Sequence, residues 1–412
     1  MSIKEIIKKI TPTFLLDFYF WLWAFFGALI FGFPSSKLIV IGVTGTSGKS
    51  TTVDFISRIL EESGSRVASM SSVRFKIGDK ESKNELKMTM PGRFKIQKFL
   101  KQATDEKCKY AVLEVTSEGI KQKRHKFINF DSVVFTNLSR EHIESHGGFE
   151  NYRNEKIKLF LATRGSHIIN RDDENAKYFL NHPSKKTVTF GIDKPADVMA
   201  KSVSDSSFEV SGIQIKLNLL GSFNVYNALS AIAVAENYGL SVQICKTALE
   251  KVLSIPGRME VVARDPFLVV VDYAHTPEQL KQAYKSLGKK LVCVLGSCGG
   301  GRDKWKRPEL GKLAEQYCKE IIITNEDPYD EDPLEIMEQV ASGIENHPYN
   351  IVIDRKEAIK KAFVLAQKGD KVIITGKGSE PLMCLENGKK IPWDDRQITR
   401  ELLRKPTIDK LY

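Results

Sequence analysis

The sequence predicts an α/β protein of two domains, each built on a mostly parallel sheet, with an apolar helix ahead of them. Two observations carry this. From residue 38 onward short apolar runs alternate with stretches of helical spacing, the pattern left when crossover helices cover both faces of a parallel sheet. The series breaks near Pro256-Gly257 and then starts again. A chain of 412 residues, 42% of them hydrophobic, holds material for two or three cores at roughly 100 to 200 residues per domain.

In order, residues 38–43 read as the first buried strand, 51–63 as a helix, 110–115 and 132–135 as further strands, and 228–238 as another helix. Residues 187–220 turn to short alternating runs, which suggests a small β annex. The second series places strands at 267–271, 291–295, 321–324, 351–353 and 372–375 with helical stretches between, a Rossmann-like α/β arrangement. The expected divisions are an aromatic N-terminal segment over 1–37, a central domain over 38–257 and a C-terminal domain over 258–412.

Residues 14–33 hold ten aromatic side chains and one charge, Asp17. About 20 apolar residues are enough to cross a bilayer. However, Lys4, Lys8 and Lys9 in front would stay inside and put the rest of the chain outside. No small-residue cleavage site of the kind a signal peptide needs follows. The expectation is a helix that lies in a membrane interface or packs on the protein itself, in a protein of the cytoplasm or the inner membrane face. The sequence leaves the oligomeric state open. A net charge of +11 admits nucleic acid, anionic lipid or an acidic small substrate. The six cysteines, at 108, 245, 293, 298, 318 and 384, include no C-x-x-C pair, so buried thiols are expected rather than a disulfide framework or a zinc ribbon.

Directly after the first strand stands Gly45-Thr46-Ser47-Gly48-Lys49-Ser50-Thr51, and a helix follows. Glycines let backbone N–H groups turn toward phosphate oxygens, Lys49 offsets phosphate charge, Ser50 suits Mg²⁺, and the helix N-terminus adds its dipole. Val43 stands where the longer form of this loop has its first glycine, so this is a shorter variant. The central domain is thus expected to be a P-loop domain that binds ATP.

Further blocks follow in order: MTMPG at 88–92, LEVTSEG at 113–119, FTNLSREHIESHG at 135–147, Y-x-x-x-K at 152–156 and GSFNVYNALSA at 221–231. They continue with PGRME at 256–260, VDYAHTP at 271–277, GGGRDKWKRPELG at 299–311, EDPYDEDP at 326–333, GKGSE at 376–380 and DDRQITRELL at 394–403. With these blocks the chain resembles the Mur ligase family, and within it the MurE-type ligases. The resemblance implies that ATP phosphorylates a substrate carboxylate and that an amino-acid amine then displaces phosphate to form an amide. It implies catalytic roles for Lys49, Glu114, His142 and Lys156, with Ser50, Glu114, His142 and Lys156 around Mg²⁺ and a carbamate on Lys156. It places nucleotide on residues 45–51 together with Asn224, Arg258 and Asp272. Substrate is expected at Thr89, Thr116, Ser117, Arg124, Glu326, Asp327, Tyr329, Gly376 and Glu380. The partners implied are an anionic precursor, small or lipid-linked, and an amino acid, with no nucleic acid. The basic run Arg302, Lys304, Lys306 and Arg307 then reads as loop chemistry around anionic substrate.

The pattern departs from the family in four places. Only residues 1–37 precede the central domain, where relatives carry a sugar-nucleotide domain. The family's D-N-P-R motif reads Glu326-Asp327-Pro328-Tyr329, so the arginine that pairs a distal carboxylate is absent and a cationic amino acid such as lysine is favoured. Glu118 and Ser379 replace two histidines. The competing expectations are a folylpolyglutamate-synthase-like ligase and a membrane-peripheral ATP-binding scaffold. The MTMPG and DDRQITRELL blocks weigh against the first, and Glu114, His142, Lys156 and Asp272 together weigh against the second.

Overall fold

The computed structural model describes residues 11–86 and 88–404. Lys4, Lys8 and Lys9 lie outside that range. The chain enters through helix α1 (Thr13–Ile30) and then builds the central sheet. Its strands are β1 (Ile39–Thr44), β2 (Val67–Met70), β3 (Arg74–Ile77), β4 (Lys80–Lys83), β5 (Tyr110–Glu114), β6 (Ser132–Phe135), β7 (Ser166–Asn170), β8 (Lys186–Gly191) and β9 (Val198–Met199). The order is β4-β3-β2-β5-β1-β6-β7-β8-β9, and the pairings are parallel except where β3 and β4 turn back at one edge. Strand β1 lies between β5 and β6, with Val43 opposite both Glu114 and Val134, so the loops at its end open where the strand order reverses.

Helices α2 (Lys49–Glu62), α3 (Arg93–Asp105), α4 (Ser117–Lys121), α5 (Ile143–His146), α6 (Phe149–Ala162), α7 (Ala176–Leu180), α8 (Phe223–Asn237) and α9 (Val242–Glu250) complete this domain. Phe55 and Ile59 of α2 join Ala228 and Ile232 of α8 on one face of the sheet. Leu100 of α3 and Leu159 and Phe160 of α6 fill the other. Helix α8 begins five residues earlier than its apolar spacing suggested, because the polar Asn224 and Asn227 are buried in its first turns. The β annex expected over 187–220 is smaller than anticipated. Strands β8 and β9 extend the main sheet, and only β10 (Ser207–Val210) and β11 (Ile213–Lys216) form a separate hairpin.

The C-terminal domain orders its sheet β12-β13-β17-β14-β15-β16. These are β12 (Glu260–Ala263), β13 (Leu268–Val271), β14 (Leu291–Leu295), β15 (Cys318–Thr324), β16 (Asn350–Val352) and β17 (Lys371–Ile374), with β12 antiparallel at the edge. Helices α10 (Pro277–Leu287), α11 (Lys306–Tyr317) and α12 (Pro333–Ala341) cover one face, and α13 (Arg355–Leu365) with α14 (Asp395–Leu403) covers the other. A short hairpin, β18 (Leu382–Cys384) and β19 (Lys390–Pro392), precedes α14.

One expectation about cysteine is corrected. Cys293 and Cys318 form a disulfide, because adjacent parallel strands β14 and β15 bring their Cα atoms to 6.0 Å. Spacing along the chain carries no trace of that register.

Helix α1 packs on the protein. Ala24 and Ala28 are buried against α3, Trp21 and Phe25 meet Phe127, and Trp23 meets Phe94. Its one charge, Asp17, pairs with Lys123 at 3.4 Å. Among the described residues no helix is long and apolar enough to cross a membrane.

The two domains are tied at the sheet edge by Asp394, which takes Lys83 of the central domain at 2.8 Å and Arg396 at 2.7 Å. Burial works against the charge, but these two cations hold the Asp394 carboxyl down at about 2. Its folded value lies below the ordinary value of about 3.9, so its contribution is complete above that pH and is lost as pH falls toward 2. Asp394→Asn keeps the helix cap and removes the charge. With solvent screening the expected loss is about 1 kcal/mol at neutral pH, shrinking to nothing in strong acid. Urea midpoints of both proteins across that acid range check it.

Candidate active site

Strand β1 delivers the phosphate loop to the sheet edge. Gly48 takes φ +79° as the cap of α2, and a Cβ there would come within 2.2 Å of Asn227 Oδ1. Asn137, just past β6, fastens the loop. Its carbonyl accepts the Thr46 N–H at 2.9 Å and its Oδ1 accepts the Ser47 N–H at 2.8 Å. Thr46 Oγ1 lies 3.0 Å from the Tyr152 hydroxyl, and Lys49 Nζ donates to Thr46 O at 2.8 Å.

Around this loop stands a cavity of about 980 Å³ walled by both domains. It is lined by residues 46–51, Thr89, Glu114, Thr116, Ser117, Arg124, His142, Asn224, Arg258, Asp272, Glu326, Asp327, Tyr329, Gly376 and Glu380. Gly45 and Lys156 lie just behind the wall. Every residue placed from the sequence at nucleotide, metal or substrate is thus in or against one cavity, though the blocks that carry them are spread over some 340 residues of chain.

At the end of β5 the Glu114 carboxylate accepts Ser50 Oγ at 2.8 Å and the Ser72 N–H at 2.9 Å through one oxygen. His142 takes the left-handed conformation at φ +56° and lies 3.7 Å from Glu141. Burial lowers the His142 pKa, and nearby Lys156 and His275 add to this against the pull of Glu141, so the neutral imidazole is favoured. Glu141 is itself buried, which opposes its charge, but His142, His275 and Lys306 hold it well below the usual carboxylate range. Lys156 of α6 is fully buried and donates to Gly45 O at 2.8 Å. Burial, and then the Lys49 charge, push its amine well below the usual lysine value.

Several residues are committed locally. Asn224 donates to Leu220 O and accepts from Asn227, each within 3.0 Å. Asp272 accepts the Met259 and Ala274 N–H groups at 2.7 and 2.8 Å, while Arg258 stacks on Tyr273 and reaches Ser72 across the cleft. Thr116 caps α4, Ser117 meets His146 at 3.2 Å, and Arg124 donates to Met90 O and Gln122. Arg307 corrects the reading of the basic run. It is fully buried and pairs with Glu331 at 2.9 Å, holding α11 to the loop before α12 rather than facing the cavity. Arg302 and Lys306 do line the cavity.

The opposite end is acidic. Asp327 and Glu380 share Lys377 at 2.9 and 2.7 Å, and Glu326 is buried with Oε2 lacking a hydrogen-bond partner among the described residues. Tyr329 sits in the left-handed region at φ +53°, its ring against Gly300.

Residues missed in the sequence include Asn137, Glu141, Ser72 and Asp303. Asn137 and Glu141 stand inside the FTNLSREHIESHG block and Asp303 inside GGGRDKWKRPELG, so the signal was present. Ser72 belongs to no block.

The family profile of the Mur ligase middle domain matches residues 43–235, and that of the Mur ligase glutamate ligase domain matches residues 257–378. A UDP-N-acetylmuramoyl-L-alanyl-D-glutamate--2,6-diaminopimelate ligase from Syntrophomonas wolfei is 37% identical over 401 residues, covering 92% of this chain and 81% of the relative. The chain belongs to the Mur ligase family. As a Mur ligase it is an ATP-dependent enzyme that forms amide bonds with ATP and Mg²⁺. A solved structure of a UDP-N-acetylmuramoyl-L-alanyl-D-glutamate--2,6-diaminopimelate ligase covers 89% of this Mur ligase, itself covered to 78%, at 32% identity and a TM-score of 0.61. A Mycobacterium tuberculosis folylpolyglutamate synthase shares the fold at a TM-score of 0.66 and 17% identity, with 85% of this chain and 91% of that chain covered.

Proposed function

We propose that this Mur ligase joins a cationic amino acid, lysine in the first instance, to the peptide carboxylate of a UDP-N-acetylmuramoyl-peptide precursor in peptidoglycan synthesis. The observation that carries it is the single cavity in which the phosphate loop, the Glu114–His142–Lys156 group and an acidic end at Glu326 meet. The γ-phosphoryl group of ATP passes to the acceptor carboxylate. The amine nitrogen then forms the C–N bond as phosphate leaves and a proton is lost.

The donor set suits Mg²⁺, which supplies charge neutralisation on the phosphates: hydroxyl and carboxylate oxygens at Ser50 and Glu114, and the neutral imidazole of His142. Glu114 uses one oxygen on Ser50 and Ser72, which leaves Oε1 without a partner among the described residues. Lys49 and Arg258 bring positive charge to the nucleotide from the two domains. Lys156 fits a carbamate. Burial pushes the amine beside Gly45 O toward its neutral form, whose nitrogen attacks CO₂, forms an N–C bond and loses one proton, so that a neutral amine becomes an anionic oxygen donor.

The preference for a cation follows from charge counting at the amino-acid end. Glu326, Asp327 and Glu380 face Lys377 and Arg302, and Arg355 is occupied by Asp395 at 2.7 Å. One negative charge remains for a ligand ammonium, and no arginine stands at 329 for a second carboxylate.

The test is phosphate release from ATP with a UDP-linked muramoyl dipeptide and a panel of amino acids. Release requiring acceptor and amine together, highest with lysine, is expected. Release without an amine contradicts the ligase reaction, and a preference for diaminopimelate contradicts the amino-acid assignment.

A further inference from the structure

Ten of the eighteen large apolar side chains exposed among the described residues lie within residues 14–33. Helix α1 is fastened along one side through Ala24 and Ala28, and its other side presents Phe14 at 69%, Phe18 at 59% and Ile30 at 65% exposure, with Tyr19, Phe26 and Leu29 between them. A soluble surface rarely gathers so many, and such a face marks a partner. The charge around it selects that partner. The two stretches on which α1 lies, residues 93–104 and 119–130, carry eight Lys and Arg and no Asp or Glu, and Lys95, Lys98 and Lys121 among them are exposed. In the sequence Lys4, Lys8 and Lys9 precede the helix.

We propose that α1 lies in the plane of an anionic bilayer, its exposed face among the acyl chains and the basic rim on the headgroups. An apolar face edged by cations, with Trp and Tyr along it, is the composition of an interfacial helix. At 18 residues α1 is about 27 Å long, and its buried alanines hold it to the domain, so it docks without crossing. A second copy of the chain fits less well, because pairing two such faces would set two basic rims against each other.

The docking also orients the cavity. Arg93 of α3 lies over the Phe20 ring at 4.2 Å and donates to Gln122 O. Gln122 and Arg124 line the cavity, so that wall adjoins the docked helix.

The full chain should co-sediment with vesicles of phosphatidylcholine containing about one third phosphatidylglycerol, weakly with phosphatidylcholine alone, and less at high salt. The exposed triple variant Phe18→Ser/Phe26→Ser/Ile30→Ser should weaken that binding by about tenfold or more while leaving turnover on a soluble acceptor unchanged. Absence of binding to the anionic vesicles, equal binding to both kinds, or binding that survives the triple substitution overturns the proposal. So does a dimer, seen by sedimentation velocity, that the same substitutions dissociate, since the face then belongs to a second copy.

Discussion

Lys156→Met is expected to leave the protein folded and to reduce turnover by about two to three orders of magnitude, the size of effect seen when one preorganised charge is removed from an active site. Methionine matches the length of the lysine stem among Tyr152 and the phosphate loop, so the packing of α6 survives. What is lost is the Nζ contact with Gly45 O and the proposed site of carbamate formation. Phosphate release at saturating ATP, acceptor and amine measures the effect. Intact mass gives the second readout: wild type in bicarbonate should gain one CO₂, and the variant should not. Full activity in Lys156→Met, or an unmodified amine in active wild-type protein, would remove the carbamate.

Glu326→Gln should collapse the discrimination between lysine and norleucine, which lacks the terminal ammonium. A charge-assisted contact is worth about 1.5 to 3 kcal/mol, so the ratio of kcat/KM values should fall by roughly ten- to a hundredfold. Glu326 is the informative position because its Oε2 is buried without a hydrogen-bond partner among the described residues, whereas Asp327 already pairs with Lys377 and accepts the Cys384 N–H. The same change at Asp327 would strip a buried pair and disturb the hairpin β18–β19. An unchanged ratio in Glu326→Gln would assign the side-chain ammonium to another group.

The phosphate loop and the strands at 38–43, 110–115, 132–135 and in the C-terminal series were legible in the sequence because each is local. A run such as residues 291–295 is apolar throughout only when a strand is buried on both faces, and the loop is seven consecutive residues. The residues that line the cavity were legible through their blocks, most of which end a strand or begin a helix. Pairings between distant segments were not. Asp303 reaches across the domain boundary to accept the Ile143 and Glu144 N–H groups just after His142, and neither stretch anticipates the other. The Cys293–Cys318 bond depends on the register of two parallel strands, and the burial of Arg307 depends on where α12 packs. The polar first turns of α8 concealed its start because Asn224 and Asn227 face a cavity instead of the core.

Beside the Asp394 and Asp303 links, four polar contacts among the described residues cross the cleft: Gln279 Nε2 to Ser47 Oγ at 3.0 Å, His275 to Glu141 at 2.9 Å, Arg258 to Ser72 at 3.1 Å, and the Lys304 N–H to Glu144 at 2.9 Å. The Gln279–Ser47 bond exchanges for water at little net cost, whereas the contacts at Glu141, Arg258 and Glu144 involve a charged group and cost more to open. In any exchange between a joined and an open arrangement, these bridges are among the contacts made and broken. Apparent nucleotide affinity is then the intrinsic affinity scaled by the joined fraction, so a substitution that touches only these bridges would shift every ligand's half-saturation by one common factor.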